Sequence, residues 1–66
     1  MERLQSDYYG FSISLLHQSD GWKFLVTKGE YSLYEDRPYA SHSLALCAAR
    51  GTLLKKIMQE KENALL

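Results

Sequence analysis

The chain has 66 residues, one cysteine, and eight basic and eight acidic side chains that cancel to a net charge of zero. A chain of this length buries only about 60% of the surface its unfolded form exposes, so it supports one domain with a small core. A lone cysteine excludes an intramolecular disulfide, balanced charge argues against a nucleic-acid module with its usual basic excess, and no stretch reaches the roughly 20 apolar residues of a membrane span.

Met1 to Asp7 is polar apart from Leu4 and reads as a frayed or short extended arm. It contains no apolar run, so no secretory signal is expected and the default setting is the cytosol. From Tyr8 to Leu16 the chain alternates, with Tyr9, Phe11, Ile13 and Leu15 on one side and Tyr8, Ser12 and Ser14 on the other, the pattern of a half-buried strand. Asp20-Gly21 between alternating segments predicts a hairpin in which Gly21 supplies a primed turn. Trp22 to Lys28 alternates again, placing Trp22, Phe24 and Val26 opposite Lys23, Leu25 and Thr27. Gly29 predicts a second tight turn and Glu30 to Glu35 a third strand, ended by Asp36, Arg37 and Pro38 because proline removes a ladder donor.

Ser41 to about Glu62 reads as a helix, with Ser41 as the capping hydroxyl and good helix formers over most of its length. Asn63 to Leu66 either frays or docks on a neighbour. The expected architecture is α+β: a three-stranded antiparallel meander with one C-terminal helix packed on one face.

Stepping about 100° per residue from Leu44, the helix carries apolar residues over roughly 220°, more than packing on one layer requires. One stripe holds Leu44, Cys47, Ala48, Gly51, Leu54 and Met58; the other holds Leu46, Leu53 and Ile57; Ala45, Ala49, Thr52, Lys56, Gln59 and Glu60 fill the polar arc. The small residues of the first stripe suit close approach to a sheet, which would bury Cys47. Leu46, Leu53 and Ile57 are then left to a partner, to the edge of a wide sheet or to the N-terminal segment, and the first of these makes them the expected interaction surface.

Residues that could carry chemistry do not converge. His17 is expected in the first hairpin, and His42 and Cys47 lie about 140° apart on the helix, so neither a metal site nor a thiol nucleophile is expected. No phosphate-cradling glycine motif occurs, and Glu35 and Asp36 diverge at a strand end. The reading is therefore of a chain without a cofactor that is not an enzyme. On the sheet face away from the helix, Tyr8 and Tyr34 are expected to join Ser12, Ser14, Lys23, Thr27 and Ser32 in a hydroxyl-rich surface.

In order of elements, Tyr8 to Leu54 resembles the three-strand-plus-helix modules of phage-type integrase arm-binding domains and of a plant DNA-binding domain, with Gly21-Trp22 ahead of an alternating strand and a small-residue helix as shared features. That resemblance implies an open sheet face that enters the DNA major groove. The basic and aromatic residues such modules place there are largely missing, Lys23 being the one positive charge assigned to that face. The leading expectation is thus a non-enzymatic interaction or adaptor module that pairs with itself, or with another protein, through Leu46, Leu53 and Ile57. The alternative is a nucleic-acid-binding regulator using Lys23, Tyr34 and Arg37, which the net charge disfavours.

Overall fold

A computed structural model describes residues 3–65 and the side chains of residues 3–62. Four strands follow one another, β1 (Arg3–Tyr8), β2 (Phe11–Gln18), β3 (Gly21–Lys28) and β4 (Tyr31–Tyr39), and one helix, α1 (His42–Leu65), completes the chain. The sheet is an antiparallel meander in the order β1-β2-β3-β4. The α+β class and the helix after the meander agree with the sequence reading, but the strand count is four. The segment read as a frayed or extended arm pairs as an edge strand, from Arg3↔Leu16 to Tyr8↔Phe11. Met1, Glu2 and Leu66 lie outside the described residues, and α1 runs into the segment read as a tail.

The extra strand arises because the stretch read as one strand from Tyr8 turns at Tyr9-Gly10. Both residues have positive φ, 50° and 83°, the sign pattern of a type I′ hairpin, whose twist matches that of the flanking strands. A tyrosine there is uncommon, since positive φ is largely the province of glycine and asparagine. The β3–β4 turn is conventional: Gly29, at φ 59°, and Glu30 link Lys28 to Tyr31. The β2–β3 hairpin forms as expected, but Gly21 does not supply a primed turn: the two connecting residues are Ser19 and Asp20, neither at positive φ, and Gly21, at φ 138°, opens β3. Gly21 also lies against β4, where an added Cβ would sit 2.7 Å from the Tyr39 carbonyl oxygen.

The pleat sorts the side chains onto two faces. Phe11, Ile13 and Leu15 of β2 and Trp22, Phe24 and Val26 of β3 point to the helix and are buried, with Tyr8, Tyr31, Leu33 and Tyr39 packed around them. Tyr8 therefore belongs to the helix side rather than to the open face. His17 stacks on Trp22 with centroids 4.5 Å apart, and His42 from the first turn of α1 meets the same indole edge-on at 5.5 Å.

Ser41 caps the helix as expected, its Oγ accepting from the Leu44 N–H at 3.2 Å. The helix lies on β2, β3 and β4, and the face it presents is not the predicted one. Ala45, Ala49 and Leu53 are completely buried, Leu46 and Ile57 pack at their flank, and Cys47, expected to be buried, is exposed. The sheet supplies the bulk through Phe11, Trp22 and Phe24, so the elements come together only where the helix offers methyl groups. Alanines assigned to a polar arc are thus the closest-packed residues of the helix. Gly51 plays no part in close packing, because nothing lies within 4 Å of the position its Cβ would take.

Twenty-four helical residues at about 1.5 Å each span roughly 36 Å, whereas an eight-residue strand spans about 27 Å. The helix overhangs the sheet beyond Ile57, in keeping with overall dimensions of 44 × 20 × 16 Å.

Candidate functional site

The open sheet face, the candidate nucleic-acid surface, is built by the outward residues of each strand. Across it run Arg3, Leu16 and Lys23, then Gln5, Ser14, Leu25 and Tyr34, then Asp7, Ser12, Thr27 and Ser32. Ser14 is buried and accepts a hydrogen bond from an Arg3 Nη at 3.3 Å. Lys23 holds the centre of the charge. Opposite it, β4 is bulged, because Trp22 pairs with Tyr39 while Phe24 pairs with Glu35. That irregularity swings Asp36 to the open face, where its Oδ1 lies 3.0 Å from the Lys23 ammonium, and Asp20 approaches the same ammonium at 3.3 Å.

The hydrogen bond to Asp36 raises the Lys23 pKa above the ordinary value of 10.5, against the opposing effect of burial. Lys23 is therefore a cation held between two carboxylates, its side chain 9% exposed, and offers no uncompensated charge to a phosphate. Arg37 leans over the Tyr39 ring at 5.9 Å and Tyr34 is exposed, but the three candidates do not form a common positive surface.

The residues assigned to the interaction surface are also relocated. Leu53 is 0% exposed in the monomer's own core, and Leu46 and Ile57 pack against that core. The surface left on the helix is the other stripe. Leu44 is 54% exposed, Leu54 43% and Met58 54%, and Cys47 and Gly51 are exposed between them. Their spacing of three and four residues places all five within an arc of roughly 80°, the a/d seam of a coiled-coil helix.

Cations flank this seam. Lys61 lies along one border and Lys55 along the other, both exposed, whereas two cations reach towards the sheet: Arg50 lies over the Tyr8 ring at 5.8 Å, and Lys56 over the Tyr31 ring and paired to Glu60 at 3.2 Å. Glu62 is the acidic residue at the far end. The surface was legible in the sequence as an apolar stripe, but its fate was not, because both stripes of the helix satisfy the same periodicity.

Among the described residues, no pocket interrupts the surface, no group of three or more His, Cys, Asp and Glu side chains gathers as a metal site, and no helix is long and apolar enough to cross a membrane. His17 and His42 do come together, but on the indole of Trp22. No protein-family model matches the chain, and neither a curated protein nor a solved structure matches it.

Proposed function

We propose that this chain is a small non-enzymatic interaction module whose docking surface is the outward seam of α1, formed by Leu44, Cys47, Gly51, Leu54 and Met58. The observation that carries this reading is the exposure of three large aliphatic side chains at heptad spacing on a helix whose opposite face is already satisfied by the sheet. Such a row is costly to leave in water and marks a contact surface. The partner it fits is an amphipathic helix with aliphatic residues along its own seam and acidic residues beside them. Lys55 and Lys61 would face carboxylates there, while two copies docked seam to seam would oppose like charges. The open sheet face is the weaker candidate, since Lys23 is neutralised in place.

The test uses a synthetic three-heptad peptide with leucine at a and d and glutamate at e and g, titrated into the full chain by fluorescence anisotropy. Binding that weakens with salt and at least tenfold in Leu54→Glu is expected. No binding to the unmutated chain, or equal binding by Leu54→Glu, would remove the seam as the docking surface.

A further inference from the structure

The helix seam makes no use of the edge strand β1, whose outer backbone side pairs with no strand among the described residues. Tyr9 and Gly10 form a two-residue turn, so Tyr8 and Phe11 are a hydrogen-bonded pair, and the alternation of an antiparallel ladder does the rest. The N–H and C=O groups of Leu4, Ser6 and Tyr8 point to β2, and those of Arg3, Gln5 and Asp7 point outward. From Arg3 to Tyr8 this edge has neither proline nor bulge, features by which proteins block pairing between sheets. The opposite edge has both, in the β4 bulge and Pro38.

We propose that the occupant of this edge is a second copy of the chain. Two β1 strands pair antiparallel about a two-fold axis at Gln5, joining two four-stranded sheets into one. Residues directly opposite each other in such a pair share a face, so the register that centres on Gln5 sets Arg3 of each copy against Asp7 of the other. In that register every outward N–H and C=O of Arg3, Gln5 and Asp7 is used, and both cross-strand charge pairs are complementary. A shift by two residues centres on Ser6, leaves Arg3 unpaired in the ladder and loses both charge pairs.

The guanidinium of Arg3 spends one donor on Ser14 and keeps others for a carboxylate. On the helix side the pairing also encloses Leu4, which α1 leaves 42% exposed, beside Leu4 and Tyr8 of the other copy on the diagonals. Because the axis is perpendicular to the sheet, both helices lie on one face with their seams free. The dimer would display two docking surfaces side by side.

Sedimentation velocity on the full chain tests this. The unmutated protein should sediment at twice the chain mass at micromolar concentrations. Gln5→Pro removes an outward N–H and spares the β1–β2 ladder, so it should sediment at the chain mass with an unchanged circular dichroism spectrum. Asp7→Arg sets arginine against Arg3 and should do the same, and adding Arg3→Asp to it should restore the dimer. Leu54→Glu should leave the dimer intact, which separates this inference from the helix seam. A chain that stays monomeric at about 1 mM, a dimer that survives both Gln5→Pro and Asp7→Arg, or one that Leu54→Glu abolishes would overturn the proposal.

Discussion

Leu53 and Leu54 are adjacent in one helix and chemically identical, but the turn of about 100° between them puts the first in the core at 0% exposed and the second outside it at 43%. Replacing either by alanine makes the same change in helix propensity and nearly the same change in the unfolded chain, so any difference in stability reports tertiary packing alone. Removing a fully buried leucine side chain costs about 2.7–5 kcal/mol, the spread depending on how far the cavity relaxes. Leu53 belongs to one core cluster with Phe24, Ile13 and Val26, all buried on a hydrogen-bonded sheet. Such a wall collapses little, which places the cost in the upper half of that range. Surface truncations stay within about 0.5 kcal/mol, so the two variants should differ by about 4 kcal/mol.

For a domain this size, total stability is roughly 3–10 kcal/mol, from about 0.05–0.15 kcal/mol per residue. Leu53→Ala should therefore lose at least a third of the total stability and melt well below the unmutated protein, while Leu54→Ala melts like it. Urea titration followed by the fluorescence of Trp22, which is buried between β2, β4 and the start of α1, measures both. Equal midpoints, or a lower midpoint for Leu54→Ala, would show that the helix is rotated from the orientation described and would restore Leu46, Leu53 and Ile57 as the outward stripe.

Two further outcomes test the sheet. Gly21→Ala should cost at least 2 kcal/mol more than Gly29→Ala in thermal melts, because both positions have positive φ but only at Gly21 would the new methyl meet backbone, at 2.7 Å; equal costs would mean that β4 does not close on Gly21. At alkaline pH, the raised pKa of Lys23 means that the folded protein holds this proton more tightly than the unfolded chain. Its contribution is then fully present below the unfolded pKa and lost as pH rises through the folded one, so stability by circular dichroism should fall above pH 10.5 more steeply than in Lys23→Met. Parallel curves for the two proteins would dissolve the coupling with Asp36 and Asp20.

Much of the sheet was written in local signals. Alternation of Phe11, Ile13 and Leu15 and of Trp22, Phe24 and Val26 requires one face of each strand to be buried, Gly29 marks a reversal by what glycine permits, Asp20-Gly21 marks the hairpin although its turn falls one residue earlier, and Ser41 declares the helix start through its own hydroxyl. These depend on residues within a few positions of each other, and periodicity reads them. β1 escaped because its pattern is polar and its turn places a tyrosine at positive φ, a conformation that no local preference announces and that the pairing of Tyr8 with Phe11 imposes.

The candidate site depended on contacts between residues far apart in the chain. An apolar arc on a helix says that something must cover it but not what, and two arcs of similar hydropathy leave the rotation of α1 open by about a third of a turn. Only the bulk of Phe11, Trp22 and Phe24 on the sheet decided that Ala45, Ala49 and Leu53 would face inward and Leu44, Leu54 and Met58 outward, since large side chains on one layer demand small ones on the other. Lys23 shows the same limit for charge. Sequence alone placed it on the open face, but the bulge opposite it, which carries Asp36 thirteen residues away to within 3.0 Å of its ammonium, decided that it would be neutralised there.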